Sequence, residues 1–444
     1  MKKSNPDNTN EPTEKMRANA PKAKKTLDKK TRNIILIIIG AVLLVALTIT
    51  AILVINHIKA VRLEKEMRER PIKIAFYNVN TKAQEAIKNV LRTEWEAASP
   101  EFGYEFATLD SSKTVIDQIY DDTAINLLFS DTGTAASVEN LAVKPAESVY
   151  SVMPISVRGI SKTSVPLLID DFEALYNIKA LSKNESSPSA SMEEMISFAK
   201  NATGTRRFTF GCAGKDDKTL GMFVSSCMES LYSSASLEKL KKAIQNAEKA
   251  SDTSQIFDTV LEAAGNENFK NTLDTLCQWK KDGLLHSEWF AMTQQEVEYL
   301  METEILSVVF MPLSMHRTVP YRTIERYTEY FFPVGRVEGA GNDRSLVFSI
   351  LSGTVLKNKY DEKSALCMEM LQKLLTLENQ ATIADATSLA PSTSTAESPD
   401  RQASNARLWA AASNIPLAGF QETFTNPDAK TAFFEGLRTY LKIN

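Results

Sequence analysis

The chain has 444 residues, of which 43% are hydrophobic and 24% are charged. This length exceeds what a single hydrophobic core usually supports, so we expect two domains or lobes. The formal net charge of −4 combines +6 in a basic head, residues 1–32, +2 in residues 33–70 and −12 in a body, residues 71–444. A nucleic-acid binder carries its positive charge on the folded domain, so we expect no nucleic-acid partner.

An uncharged apolar run of 22 residues, Ile34–Ile55, follows the head. As a helix rising about 1.5 Å per residue, it can span the ~30 Å hydrocarbon core of a bilayer. A cleaved signal peptide usually has an apolar region of only about 7–15 residues and a small-residue cleavage site, which the sequence after Ile55 lacks. We therefore predict an uncleaved transmembrane helix over residues 33–56. The Lys/Arg excess before the helix places the N-terminus in the cytoplasm of a single-pass protein.

The segments that flank this helix differ in character. The basic head, residues 1–32, has almost no large apolar side chains and should be disordered. Residues 57–70 are charged and form a short stalk that ends at Pro71. The body then lies outside the cytoplasmic membrane, in the periplasm or at the cell surface.

The body begins with alternating strand and helix patterns. Ile72, Ile74 and Phe76 alternate with less apolar residues, as in a strand, and residues 81–97 have helical spacing. A second buried strand ends at Ser130 and Asp131. Strands that alternate with helices indicate a parallel α/β sheet, whose ligands gather at the carboxyl ends of the strands.

That rule selects Tyr77, Asn78, Ser130 and Asp131, of which we predict Tyr77, Asn78 and Asp131 as ligand-binding residues. Each has a simpler alternative role. Tyr77 and Asn78 have the composition of a turn, and Asp131 could cap a helix or form an Asx-turn.

The stretch PLLIDDFEALYNIKAL, Pro166–Leu181, places two carboxylates after a buried strand. We interpret it as a strand that leaves the first lobe and ends at Asp170 and Asp171, followed by a helix from Phe172 to Leu181. The charges would then lie where the chain crosses a ligand cleft. Asp170 could instead cap that helix, because Asp is a favoured N-cap residue.

Residues with typical catalytic or metal-binding roles are sparse in the body. His286 and His316 are its two histidines, and no HExxH, GxSxG or Walker motif occurs. We therefore predict no metal, no cofactor and no enzymatic activity. The cysteines lie too far apart for a zinc ribbon or a CxxC motif, and we expect buried free thiols: Cys212, Cys227, Cys277 and Cys367.

Several segments of the body occur in a characteristic order. Ser191 precedes Glu194 by three residues, which is a capping-box pattern. Residues 278–314 predict a helix, a Lys-x-Gly turn, a second helix and a returning strand, and residues 348–384 predict a strand and a long helix. With IKIAFYN and VPLLIDDFEALYN before them, these segments resemble the type II extracellular solute-binding proteins of ABC importers, in the sugar-binding branch that includes the maltose-binding proteins.

The resemblance implies a two-lobed α/β clamp, monomeric, that closes on a solute without a cofactor. It implies that lobe 1 comprises residues 71–170 and 308–348, and that lobe 2 comprises residues 171–307 and 349–444. The chain would cross between the lobes near Asp170, Ser307 and Ile350.

The resemblance also suggests site residues. Asp170 matches a position where a carboxylate often binds a sugar hydroxyl. Ser314 matches one where sugar binders commonly place a stacking tryptophan, and Phe420 falls where a cleft aromatic is expected. His316, beside Arg317, could face solvent or bind an anionic group. Core packing is the simpler interpretation of the aromatic side chains of Trp279, Trp289 and Trp409.

Three classes of function follow from these patterns. The leading one is capture of a small solute, expected to be a sugar, for the permease subunits of an ABC importer. The alternative is a tethered sensory or interaction domain that keeps the fold without delivering a solute. The third, a glycosidase, needs two opposed carboxylates on one rigid site, whereas the side chains of Asp170 and Asp171 diverge from one strand.

Overall fold

The structure is a computed structural model that describes residues 28–154, 157, 162–183, 191–202, 210–250, 252–330, 334–335, 337, 345–412 and 417–444. The chain divides after Glu69 into an N-terminal helix and a body that starts at Arg70. Most of the head that we predict to be disordered, residues 1–27, lies outside the described residues.

The N-terminal helix runs without interruption from Lys29 to Glu69, so the predicted transmembrane segment and stalk form one helix. It is long and apolar enough to cross a membrane. The hydroxyls of Thr48 and Thr50 donate 2.8 Å hydrogen bonds to the carbonyls one turn earlier, at Leu44 and Ala46. The polar groups within the apolar run are thereby satisfied inside the helix, as a hydrocarbon environment requires.

Ten strands occur in the described part of the body. They are β1 (Ile72–Phe76), β2 (Tyr104–Thr108), β3 (Ile125–Asp131), β4 (Val165–Asn177), β5 (Phe210–Cys212), β6 (Val308–Pro312), β7 (Tyr327–Tyr330), β8 (Val347–Val355), β9 (Ala390–Pro391) and β10 (Leu417–Ala418). The parallel order β2-β1-β3 matches the α/β sheet predicted for the start of the body. Strand β8 then pairs antiparallel with β3.

Strand β4 belongs to two groups of strands. Its first half, from Val165 to Asp171, pairs antiparallel with β8, and its second half, from Phe172 to Tyr176, pairs antiparallel with β6. All 13 residues are buried. The helix that we predict from Phe172 is therefore wrong at its start, because strands on both sides bind this backbone and the helix begins only at Ile178.

Helices surround these strands. Those of the body are Thr81–Ala98, Val115–Asp121, Thr132–Ser137, Ile178–Lys183, Met192–Ala202, Asp217–Leu231, Ser234–Ala247, Ile256–Leu261, Glu267–Lys281, Gln294–Glu302, Leu313–His316, Tyr321–Ile324, Asp361–Leu374, Leu377–Thr387, Arg401–Ala412 and Pro427–Ile443. Short 3-10 helices span Glu139–Leu141, Glu147–Val152 and Phe420–Glu422. The Ser191 hydroxyl accepts the N–H of Glu194, as the capping pattern predicts.

The buried side chains form two large hydrophobic cores. The first core contains β1, β3, the first half of β4 and helices from the segment between Asp361 and Ala412. The second core contains the second half of β4, β5, β6 and the last helix, Pro427–Ile443. The body is thus built from two packed lobes that share one strand.

The division of the chain between the two cores differs from the division into lobes that we expect from the sequence. Strand β6, expected in lobe 1, lies in the second core, and the helices of residues 361–412, expected in lobe 2, lie in the first. Strand β6 shares the second core with the helices before it. Strand β7 pairs with the second half of β4, and β8 pairs with its first half. We therefore propose 71–171 and 347–412 as lobe 1, with 172–330 and 417–444 as lobe 2.

The four cysteines and the three tryptophans considered above belong to the hydrophobic cores or pack against them, as we expect from the sequence. All four cysteines are buried free thiols. Trp279 and Trp289 are buried in the second core, and Trp409 packs against the first.

Strand β4 carries acidic residues at the point where it passes between the cores. Asp171 and Glu173 are 1% and 0% exposed. Neither Asp171 oxygen has a well-aligned hydrogen-bond partner in the described part of the chain. Burial, together with the charges of Glu173 and Asp170, raises the pKa of Asp171 well above its ordinary value.

This raised pKa predicts the effect of Asp171→Asn. The unfolded chain ionises Asp171 near its ordinary pKa while the folded chain keeps the carboxyl protonated, so stability decreases as the pH rises through that interval. Asp171→Asn removes this decrease of stability with pH and should increase the free energy of unfolding at pH 7 by roughly 1 kcal/mol or more. Chemical denaturation at several pH values measures it. Asp385→Asn, at an exposed helix position, should change nothing, and equal curves for Asp171→Asn and the parent protein would refute the interpretation.

Candidate functional site

A cavity of about 330 Å³ lies between the two lobes. Lobe 1 contributes residues that follow β1 and β3, and lobe 2 contributes the start of the helix Asp217–Leu231 and the segment around the 3-10 helix Phe420–Glu422. This volume is at the lower end of the range for small-molecule sites. The polar or charged side chains that line it include Tyr77, Asn78, Asp131, Thr134, Asp217, Lys218, Ser349, Gln421, Glu422 and Lys430.

The lobe 1 wall contains the residues that the strand-end rule selects. Asn78 follows β1 in a left-handed conformation, with φ of 54°, so it also makes the turn that we gave as its alternative role. Tyr77 donates a 2.9 Å hydrogen bond to the carbonyl of Lys113. Asp131 caps the helix Thr132–Ser137, because its Oδ1 accepts the N–H of Thr134 at 2.7 Å. These three residues line the cavity and have structural roles as well.

Lobe 2 contributes charged side chains from the start of the helix Asp217–Leu231. Lys218 forms an ion pair with Asp170 of β4, which links the helix to the strand shared by the two lobes. Asp217 forms an ion pair with Arg438 of the last helix at 2.6 Å. Both charges are therefore matched by a protein partner.

Glu422 is the most buried carboxylate of the cavity wall, with 7% of its surface exposed. Its Oε2 accepts the hydroxyl of Thr132 at 2.5 Å, and this bond joins the two lobes. Burial and the charge of Asp131 raise its pKa to about 7, although Ser349, Thr132 and Lys218 partly offset the effect. Burial therefore shifts Glu422 toward its protonated form.

The backbones of the two lobes also meet beside Glu422. A Cβ atom built at Gly133 would lie 1.3 Å from the backbone oxygen of Glu422. Only glycine lets the chain approach this closely without moving one of the two backbones. The contact closes one side of the cavity.

Asp170 lies beside the cavity but is already bonded by the protein. Its Oδ1 accepts the backbone N–H of Ser314 at 2.8 Å, and its Oδ2 accepts the Ser314 hydroxyl at 2.6 Å. Lys218 contacts the same Oδ2. Asp170 and Ser314, which we expect in the cleft, thus form a hydrogen-bonded junction. It joins β4, the helix Asp217–Leu231 and the helix Leu313–His316.

His316 and Phe420 do not line the cavity. His316 is 2% exposed, and its Nδ1 lies 2.6 Å from Oε2 of Glu173, so it does not face solvent. Phe420 is fully buried and stacks on Phe434 with ring centroids 5.8 Å apart. The aromatic contribution expected from Phe420 is absent because its ring completes the second core.

The sequence analysis missed seven of the polar wall residues named above, which are Thr134, Asp217, Lys218, Ser349, Gln421, Glu422 and Lys430. Three of them show the reasons. Lys218 follows β5 within six residues, so the strand-end rule could have found it if that short strand had been recognised. Glu422 is two residues after Phe420, and only the three-dimensional position of that segment selects it. Ser349 lies within β8, where alternation on a buried strand gives no signal for a ligand-facing hydroxyl.

The sequence matches no protein-family model and no curated protein. Among solved structures, the binding protein MsmE of Bacillus subtilis in an open conformation has a TM-score of 0.62 at 10% identity, over 84% of this chain and 96% of that one. Maltose-bound MalE3 of T. maritima has a TM-score of 0.55 at 12% identity, over 83% and 99%. A sugar transporter of Bacillus licheniformis in complex with stachyose has 0.53 at 11%, over 84% and 98%. The body therefore has the two-lobed type II periplasmic binding protein fold predicted from the sequence.

The bonds of Asp170 predict that Asp170→Ala lowers stability whether or not a ligand is present. The change leaves the Ser314 N–H and the Lys218 ammonium without their acceptor, which should cost about 2 kcal/mol of the free energy of unfolding. Chemical denaturation measures the loss, and Asp121→Ala, at an exposed helix end, is the control. Unchanged stability combined with weaker solute binding would instead assign Asp170 to the ligand.

Proposed function

We propose that this protein is a solute-binding clamp that captures a small carbohydrate in the cavity between its lobes and performs no chemistry on it. The observation that carries the proposal is the position and chemistry of the cavity. Both lobes line it, and they present hydroxyl, amide, carboxylate and ammonium groups together. Such groups bind sugar hydroxyls as donors and acceptors. Solved proteins of this fold that were found with maltose or stachyose bound support the same class of ligand.

We further propose that the helix Lys29–Glu69 anchors the clamp in the cytoplasmic membrane, with the clamp outside. The Lys/Arg excess before the apolar run supports this orientation. In that position a monomeric clamp would present its solute to the permease subunits of an ABC importer. Closure of the lobes around the solute would be the event that the permease recognises.

One observation favours the alternative of a tethered sensory or interaction domain. The Asp170 carboxylate, which the family resemblance assigns to a sugar hydroxyl, is bonded by Lys218 and Ser314 instead. The aromatic residues of the wall are Tyr77 and Phe424, which are only 5% and 8% exposed and offer little ring surface for stacking. A clamp that had lost solute delivery would have these features, so binding itself must be measured.

A thermal-shift screen of the full-length chain in detergent tests solute capture. Mono- and disaccharides and polyols are the probes, with amino acids as a comparison set. A carbohydrate at about 100 times its Kd should add ~2.7 kcal/mol and raise the melting temperature. Lys430→Ala, in the wall, should reduce the shift, whereas Lys270→Ala, at an exposed position, should preserve it. No shift with any carbohydrate would refute solute capture and favour the alternative.

Membrane fractionation tests the anchor. The full-length protein should remain in the membrane fraction after a high-salt wash, and its N-terminus should be intact. Leu43→Asp together with Leu47→Asp should prevent insertion, because each charge costs about 2.5–3.5 kcal/mol at the helix centre. Leu63→Asp, beyond the apolar run, is the control. An exported protein whose N-terminus begins between residues 50 and 75 would contradict the proposal.

A further inference from the structure

The charges of the cavity wall are not balanced. Lys218 is neutralised by Asp170, and Asp217 is neutralised by Arg438. The remaining charged groups are the carboxylates of Asp131 and Glu422 and the ammonium of Lys430. The cavity therefore keeps two carboxylates against one cation.

Each carboxylate uses one oxygen for a well-aligned hydrogen bond to the protein. Asp131 uses Oδ1 to cap its helix, and its Oδ2 has no hydrogen-bond partner in the described residues. Glu422 uses Oε2 for Thr132, and its Oε1 is buried without a well-aligned partner in that part of the chain, with the Ser349 hydroxyl near the carboxylate. A buried carboxylate oxygen without a donor costs free energy, which a ligand donor can recover.

These two oxygens come from opposite walls. Asp131 ends β3 in lobe 1, and Glu422 lies in the 3-10 helix Phe420–Glu422 of lobe 2. The Thr132–Glu422 hydrogen bond holds the two segments together, and both carboxylates line the same cavity. A cationic group between them would be bound from both lobes at once.

We propose that the solute is a small carbohydrate or polyol that carries a protonated amino group, with Asp131 and Glu422 binding the ammonium and the other wall groups binding the hydroxyls. This inference rests on the proposed carbohydrate-binding function and narrows it. An ammonium donates up to three charge-assisted hydrogen bonds, which are roughly twice as strong as neutral ones. It also relieves the repulsion between the two carboxylates.

Binding of an ammonium beside Glu422 should also depend on pH, because the bound charge changes the ionisation of Glu422. Asp131 from β3 and Lys218 from the helix Asp217–Leu231 act on the charge of Glu422, and Asp217 from that helix and Lys430 from the last helix line the same cavity. With a pKa of about 7 in the free protein, Glu422 is partly protonated at neutral pH. An ammonium stabilises the ionised form, so binding releases protons and becomes tighter as the pH rises toward 7.

Isothermal titration calorimetry of the full-length protein tests the inference with glucosamine against glucose and galactosamine against galactose. We expect the amino sugar of at least one pair to bind about tenfold more tightly, with proton release measured in buffers of different ionisation enthalpy. Glu422→Gln should remove the preference, and Glu435→Gln, at an exposed position of the last helix, should retain it. Asp131→Asn is a second test that keeps the helix cap, because Asn caps as well as Asp.

The outcomes separate the inference from the proposed function. Equal binding of both members of each pair, or tighter binding of the neutral sugar, would overturn the inference and leave carbohydrate capture intact. A preference that persists in both Glu422→Gln and Asp131→Asn would also overturn it. Failure of every sugar, neutral or amino, to bind would overturn the proposed function and the inference together.

Discussion

The burial of β4 along its whole length is the constraint on which the rest of the body depends. Strands on both sides must supply hydrogen-bond partners for the backbone of its 13 residues. Because the partner strand changes from β8 to β6 after Asp171, one strand belongs to two cores. This sharing fixes the lobes next to each other without a separate linker at that point. It also forces the carboxylates of Asp170 and Glu173 into the interior, where Lys218, Ser314 and His316 bind them.

Local patterns were sufficient to predict the first sheet and its strand ends. Ile72, Ile74 and Phe76 alternate as a half-buried strand should. The rule for parallel sheets selects Tyr77, Asn78 and Asp131, which line the cavity, and Ser130, which is buried. The same patterns could not assign β6 to its core, because a short apolar strand has the same sequence signal in either lobe. The segment from Phe172 has helical spacing as well, and only pairing with β6 and β7 makes it a strand.

The hydrogen-bond partners of the carboxylates at the site could not be predicted from the sequence. A carboxylate that follows a strand is marked by the sequence, but its hydrogen-bond partners come from distant segments. Asp170 is bonded by residues 48 and 144 positions away, and Glu422 by one 290 positions away. These contacts give Asp170 its hydrogen-bond partners within the protein and leave one Glu422 oxygen without a well-aligned partner in the described residues. Which carboxylates have protein partners is therefore decided only when the two lobes have folded against each other.

The interleaving of the two cores along the chain has a consequence for biosynthesis. The first core needs residues from Ile72 to Ala410, and the second needs residues from Phe172 to Leu441. Neither core is complete until nearly all of the polypeptide has been synthesised, so no N-terminal domain can fold early on the ribosome as it does in proteins with contiguous domains. Loss of the last helix alone would leave the second core open.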